Sequence, residues 1–303
     1  MAIHVVPTDF LTVQAAIDDA LTNAGDSIQI LAGTFDGFNV TKERLKIFGC
    51  GIGKTIIAGN PSPASDDGIT VNANQTILKG VTIQGFAGDG IQINTLNNVL
   101  KDIEVKFNGD DGIDVEGENN LVIDCSTSTN TFDGYELDAD HNCVINCRSF
   151  NNGDNGIDID NENNKLINCI STENDDDGFD IDGDFNILFS NASLKNGDVG
   201  FEIQSQSNNT LINNRSCNNV ESGIIITSNS QQNILDSNII RNNGIDDTGG
   251  SGILIEDDTL DNVIRFNKLK LNVPYDIQVE GGVANNIYDG NKCEDSFPDN
   301  LCT

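Results

Sequence analysis

The chain has 303 residues, of which 48 are Asp or Glu and 16 are Lys or Arg, for a formal net charge of −32. That charge makes nucleic acid and anionic membrane surfaces poor partners and favours cations, or substrates reached through cations. A hydrophobic fraction of 37% without tryptophan suits a narrow core of Ile and Val, and no stretch is long and apolar enough to span a bilayer.

Residues 1–26 read as an N-terminal cap. Thr12 fits an N-cap position, and Val13, Ala16, Ile17, Ala20 and Leu21 fall on one helical face before residues 23–25 stop the helix. Residues 1–25 hold no basic region followed by an apolar run, so no signal peptide is expected in this sequence. Residues 36–65 read as less regular coils. Within them Gly49-Cys50-Gly51-Ile52-Gly53-Lys54-Thr55 is a faint phosphate-loop look-alike without the required glycine spacing, and nucleotide binding is not expected.

From Gly68 onward the sequence repeats. Gly68, Gly90, Gly112, Gly134, Gly156, Gly178 and Gly200 return every 22 residues, each followed by an apolar pair two apart such as Ile91/Ile93 or Phe179/Ile181. Alternation of that kind is a strand with one buried face. A period this short, with no helical spacing inside it, is one solenoid coil per repeat. Two asparagine columns, Asn108 to Asn196 before the glycines and Asn98 to Asn186 after them, read as corner ladders rather than ligands, because asparagine tolerates left-handed backbone. Between those corners lies a second strand, with Leu78, Leu100, Val122, Val144, Leu166 and Leu188 in one column. A further column, Val81, Ile103, Cys125, Cys147, Cys169 and Asn191, reads as interior, with buried free thiols giving way to an amide stack.

Beyond residue 219 the register loosens. Gly223 comes one residue late and Gly252 seven late, which makes residues 241–251, with Gly244, Gly249 and Gly250, a protruding loop. Cys293 and Cys302 flank a proline-containing tail and could close a terminal loop, although spacing alone leaves their pairing open.

This combination resembles the right-handed parallel β-helix repeat proteins of the pectin-lyase-like superfamily over nearly the whole chain. The opening Val13-Gln14-Ala15-Ala16-Ile17, then residues 27–35, is also similar to that superfamily. The expected fold class is therefore all-β: a single-stranded right-handed parallel β-helix of about ten coils, with an N-terminal α-helical cap. As one structural domain it divides into a cap (1–26), the β-helix (27–291) and a C-terminal tail (292–303). For function the resemblance implies lyases, hydrolases, epimerases and inert structural proteins alike.

The chemistry-bearing feature is acidic. Two residues after successive glycines stand Asp114, Glu136, Asp158, Asp180 and Glu202, and four after stand Glu116, Asp138, Asp160 and Asp182, all on the expected solvent face. The preceding turns add Asp110, Asp111, Asp133, Asp154, Asp176, Asp177 and Asp198. Carboxylates stacked about 5 Å apart repel by about 1 kcal/mol per pair in water and by several times that at lower dielectric.

Three readings answer that repulsion. One is a solvated, salt-screened surface. Another is a Ca²⁺ site, favoured by hard oxygen donors without a His or thiolate cluster; its candidate ligands are Asp110, Asp111, Asp114, Asp154, Asp158, Asp176, Asp177 and Asp180. The last is carboxylate catalysis on a polysaccharide by Glu136, Asp158 and Asp180, since a strand ladder offers the carboxyl separations that glycosidases use.

Local motifs bear on the third reading. Gly109-Asp110-Asp111-Gly112 resembles the Gly-Asp-Asp element of polygalacturonase-type hydrolases, whose Asn-Thr-Asp, Gly-His-Gly and Arg-Ile-Lys elements are missing here. Mannuronan epimerases are similar in their Asn-x-x-x-Gly-apolar-x-apolar coils; Asp177-Gly178-Phe179-Asp180-Ile181-Asp182 keeps their Gly-Phe-Asp but lacks the preceding Tyr and the following Pro-His. For a lyase, Arg148, Lys165 and Tyr135 are the nearest proton acceptors, but Arg148 and Lys165 fall on the second strand and Tyr135 in an inward column. His141 reads as a surface turn.

The expected function is a carbohydrate-interacting β-helix protein resembling Ca²⁺-dependent polysaccharide lyases or hydrolases, with polysaccharide or divalent cations as partners. The alternative is a non-catalytic structural protein of a spore, cell or virus surface, which the scarcity of aromatic platforms favours. An extracellular or particle-surface location is expected in either case.

Overall fold

The computed structural model describes residues 1–59, 67–245 and 250–303, which form two compact units, Met1–Arg148 and Ser149–Thr303. Each unit is a parallel β-solenoid, and its coils carry three short strands rather than the two expected. The extra strand escapes a search for apolar alternation because much of its inward column is hydroxylic: Val105 stacks on Thr127, and Ser171 on Ser193, all of them buried. The coils are also more numerous than ten, since among the described residues the leucine sheet alone has seven strands before Arg148 and six after it.

In Met1–Arg148 the glycine-led strands Phe38–Val40, Ile69–Val71, Ile91–Ile93, Ile113–Val115 and Tyr135–Leu137 stack in register, so that Ile91 lies beside Ile113 and Asp114 beside Glu136. We call this the acidic sheet. The leucine sheet includes Ile77–Lys79, Val99–Lys101 and Leu121–Ile123, and the third sheet includes Thr82–Gln84, Glu104–Lys106 and Ser126–Ser128. Ser149–Thr303 repeats the plan. Its acidic sheet opens with Ile157–Ile159, Phe179–Ile181 and Phe201–Ile203, where the buried rings of Phe179 and Phe201 stack with centroids 4.6 Å apart.

Close approach explains the glycine column. A Cβ on Gly90 would stand 2.0 Å from Val105 Cγ1 and 2.7 Å from the carbonyl oxygen of Gly112 on the next coil. The glycine is needed for the missing side chain rather than for a left-handed backbone.

The asparagine columns are ladders, but for a different reason from the one expected. The left-handed residues are those just before the ladder positions, among them Asn97, Phe107, Asn119, Thr129 and Glu173. The ladder asparagines turn inward and exchange amide hydrogen bonds: Asn174 Nδ2 donates to Asn196 Oδ1 at 3.0 Å, and Asn174 Oδ1 accepts from the Asn152 backbone N–H at 3.1 Å. Each buried corner amide thereby satisfies the coil before it. Cys125, Cys147 and Cys169 are buried free thiols, and the column continues as amides, the Asn191 backbone N–H donating to Asn214 Oδ1 at 2.8 Å.

At the N-terminus, Ile3–Val6 pairs with Ser27–Ile30 and so belongs to the leucine sheet. Thr12 caps a helix of only six residues, Val13–Asp18, by accepting from the Ala15 N–H. The helix stops before Ala20 and Leu21, which are exposed, because Asp19 leaves helical backbone. It shields the open edge of Phe38–Val40: the Gln14 side chain accepts from the Asn39 N–H at 2.7 Å, where a further strand would otherwise bond. At the other end Ser296–Phe297 pairs with Ile277–Val279, and Cys293 and Cys302 form a disulfide.

The late Gly252 does reset the register, with Ile224 beside Ile253. Of the expected protruding loop, residues 246–249, Gly249 included, lie outside the described residues, as do residues 60–66 of the irregular coils. Gly250 packs on the backbone of Glu221 and Ser222, and the Gly244 N–H donates to the Glu221 carbonyl at 2.6 Å. Residues 49–55 form a turn in which the Thr55 hydroxyl bonds the Leu31 carbonyl at 3.0 Å. Among the described residues no helix is long and apolar enough to cross a membrane.

Candidate functional site

Alternation fixes the placement of the acids. Ile113 and Val115 point inward with no exposure, so Asp114 between them points outward. Outward does not mean solvated, and here the structure corrects the sequence reading: Asp114 keeps only 6% of its exposure. The turn acids Asp89, Asp111 and Asp133 line one cavity with it and are themselves buried, while Glu116, Asp138 and Asp160 at the next outward position stay exposed.

The turn acids in Met1–Arg148 form a ladder of their own. Asp89 Oδ1 accepts from the Asp111 N–H at 3.0 Å, and Asp111 Oδ1 from the Asp133 N–H at 2.7 Å. Each spends one oxygen on the fold, and Asp111 also hydrogen-bonds the Glu136 side chain. Together with Asp110, Asp114, Glu116, Phe132, Glu136 and Asp138 they line an open cavity of about 410 Å³. Two oxygen triads form there, Asp89–Asp110–Asp111 and Asp114–Glu136–Asp138, each with its ligand atoms within 4.8 Å of one another.

Asp114 is the strained member. Gln92 Nε2 reaches its Oδ2 at 3.5 Å, but its Oδ1 is buried without a hydrogen-bond partner. Burial, then the charges of Asp89, Glu136, Glu116 and Asp138, pushes its carboxyl up to about 8. Asp89 and Asp111 are pushed up to about 7, again chiefly by burial. A cation is the partner such a set lacks: its donors are hard oxygens, and one already stands desolvated and unsatisfied.

Ser149–Thr303 carries a second set. Asp158 and Asp180 face each other across adjacent strands, and each has a buried, unpartnered Oδ1. Burial and then neighbouring carboxylates push both up to about 8. Asp177 is more deeply buried; one oxygen accepts from the Val199 N–H at 2.7 Å, and burial holds its carboxyl well above the usual range. The triads here are Asp176–Asp177–Asp198 and Asp177–Asp180–Glu202. Asp154 lies beside Asp176 in the turn, and burial raises its carboxyl.

The sequence-derived candidates thus fall into two groups. Asp110, Asp111, Asp114 and Glu136 share one cavity, and Asp154, Asp158, Asp176, Asp177 and Asp180 share one run of coils. Asp89 and Gln92 were missed, although each stands one 22-residue step before a residue that was not, Asp111 and Asp114. The expected proton acceptors are elsewhere. Tyr135 is fully buried with its hydroxyl on the Arg148 carbonyl at 3.3 Å, and Lys165 belongs to the leucine sheet. Arg148 starts a strand of the third sheet, not the second as expected. His141 is an exposed corner residue with φ 62°.

Comparison with known proteins agrees with this architecture. The A-module of the Azotobacter vinelandii mannuronan C-5 epimerase AlgE6 superposes with a TM-score of 0.79 at 17% identity, covering 94% of this chain and 92% of that one. The Dettilon tailspike protein gives 0.63 at 16%, covering 89% of this chain and 59% of the tailspike. Pectate lyase Pel9A gives 0.53 at 15%, over 99% and 80%. These likenesses are of fold. No curated protein matches in sequence. The model of the right-handed β-helix region matches residues 67–192 and 161–293, well over half of the chain. With parallel coils, inward ladders and that match together, the chain belongs to the right-handed β-helix family.

Proposed function

We propose that the protein binds an anionic polysaccharide through Ca²⁺ held on the outer face of its acidic sheet. The observation that carries this is Asp114, buried with an unpartnered oxygen and set within 4.8 Å of ligand atoms from Glu136 and Asp138. Three carboxylates leave coordination positions over for water and for a sugar carboxylate, so the cation supplies a bridge to a polyanion that the bare acids would repel. Polysaccharide as the partner is supported by the kinship in fold with a mannuronan epimerase and a pectate lyase.

A glycan array read in Ca²⁺ and in EDTA tests the reading. Binding to acidic glycans in Ca²⁺ that is lost in EDTA supports it, and the same array pattern in both refutes it.

Catalysis is a second reading, favoured by the Asp158–Asp180 pair. In-register neighbours on parallel strands lie about 4.8 Å apart, near the roughly 5 Å separation of retaining glycosidases. Glu136 would take part at the other cavity. Product analysis on any bound polymer tests this, and an uncut ligand would leave a binding or surface-structural role, which the single aromatic lining the Asp114 cavity, Phe132, also favours.

A further inference from the structure

The acidic chain carries a basic patch that the proposed function does not use. On the outer face of the third sheet in Ser149–Thr303 stand Arg215, Arg241, Lys268, Lys270 and Lys292, all exposed. Lys270 lies 3.3 Å from Glu294, but among the described residues neither Lys268 nor Lys292 forms an ion pair. These two are paired directly on adjacent coils, which brings two like charges to one edge of the sheet.

Both line a cavity of about 480 Å³, together with Ile239, Ser237, Phe266 and Gly290. The ring of Phe266 is built in. It springs from a left-handed corner residue, φ 56°, and lies over the equivalent corner of the next coil, Gly290, where a Cβ would meet ring carbon Cδ1 at 2.6 Å. The Arg265 guanidinium, itself held by Asp236 at 2.8 Å, stands 6.0 Å from the ring centroid. Half of the phenylalanine remains exposed. A fixed aromatic face beside two unpaired cations offers apolar contact to the C–H face of a pyranose and charge to its acidic substituent.

We infer that this cavity is a binding subsite for an anionic sugar residue, one bearing a carboxylate or a sulfate, which stacks on Phe266 while its charge lies between Lys268 and Lys292. The subsite is independent of the cation site on the acidic sheet.

Isothermal titration in EDTA and low salt, which silences any Ca²⁺ site, tests it with trigalacturonate, a sulfated disaccharide and a neutral trisaccharide. At least one anionic probe should bind about tenfold tighter than the neutral one, and the stronger of the two identifies the substituent. Lys268→Gln with Lys292→Gln should weaken that binding about tenfold, and Phe266→Ala should weaken all sugars alike. All three side chains are exposed, so unchanged melting of the variants separates loss of binding from loss of fold. Equal affinity for the neutral probe, an unaffected double variant or no binding by either anionic probe overturns the assignment. So does self-association abolished by the double variant without sugar binding, which would make the acidic face of a second copy the occupant.

Discussion

Replacing Asp114 by asparagine keeps the side chain's shape and removes a titratable carboxyl from a triad whose ligand atoms lie within 4.8 Å of one another. Without a cation the Asp114 carboxyl is pushed up to about 8, against a usual 3.8 that the unfolded chain restores. At pH 7 the folded protein must therefore hold a proton that the unfolded chain gives up. Over roughly three pH units this costs about 4 kcal/mol, reduced to about 2 when water and neighbouring side chains relax around the charge.

Asparagine removes that cost, and its amide can donate to Glu136 or Asp138. In EDTA the variant should therefore melt about 4–8 °C above the wild type. Ca²⁺ reverses the advantage: at a hundredfold excess over Kd the wild type gains about 2.7 kcal/mol by mass action, and the variant loses the share contributed by this triad. Differential scanning calorimetry at pH 7 in EDTA and in Ca²⁺ reads both effects. A variant that melts lower in EDTA, or gains as much from Ca²⁺ as the wild type, would refute the reasoning.

Other consequences concern the ladders and the pH response. Asp89, Asp111, Asp114, Asp158, Asp180 and Asp198 are all raised to about 7 or 8, so their contribution to stability is fully present below about pH 4 and lost as pH rises through 7 to 8. The urea midpoint in EDTA should fall between pH 5 and 8.5, with Ca²⁺ flattening the slope; a rising midpoint contradicts the cluster. Gly90→Ala should cost about 3 kcal/mol in urea unfolding, because its Cβ would enter Val105 at 2.0 Å. Asn174→Ala, which removes the acceptor of the buried Asn152 backbone N–H and the amide that donates to Ser171 Oγ, should cost about 3 kcal/mol, and a loss under 1 kcal/mol would show the ladder to be decorative.

The repeat made most of the fold legible. A fixed 22-residue step forces equivalent residues to stack, and the pairing of Asp114 with Glu136 and of Asp158 with Asp180 follows directly. The third sheet was hidden because its inward column passes from Val105 to Thr127 and on to Ser171 and Ser193, buried residues that an apolar search does not count. The corners were located correctly but misread, since propensity points to asparagine itself as the left-handed residue, whereas Phe107, Thr129 and Glu173 fill that role beside inward amides. The outward direction of the acids was legible; the burial of Asp114 was not, because it depends on how closely Asp111 and Asp133 of the turns gather around the same cavity. The subsite at Phe266 was hidden for a related reason, for it arises where a ring meets a glycine one coil on.

The most direct test of the cation site is a crystal soaked in Ca²⁺ at pH 7.5, with the ion located by anomalous scattering. The expected result is a peak about 2.3–2.6 Å from Asp114 Oδ1 and from carboxylate oxygens of Glu136 and Asp138. A well-ordered acidic sheet that binds only water at saturating Ca²⁺ would contradict the account.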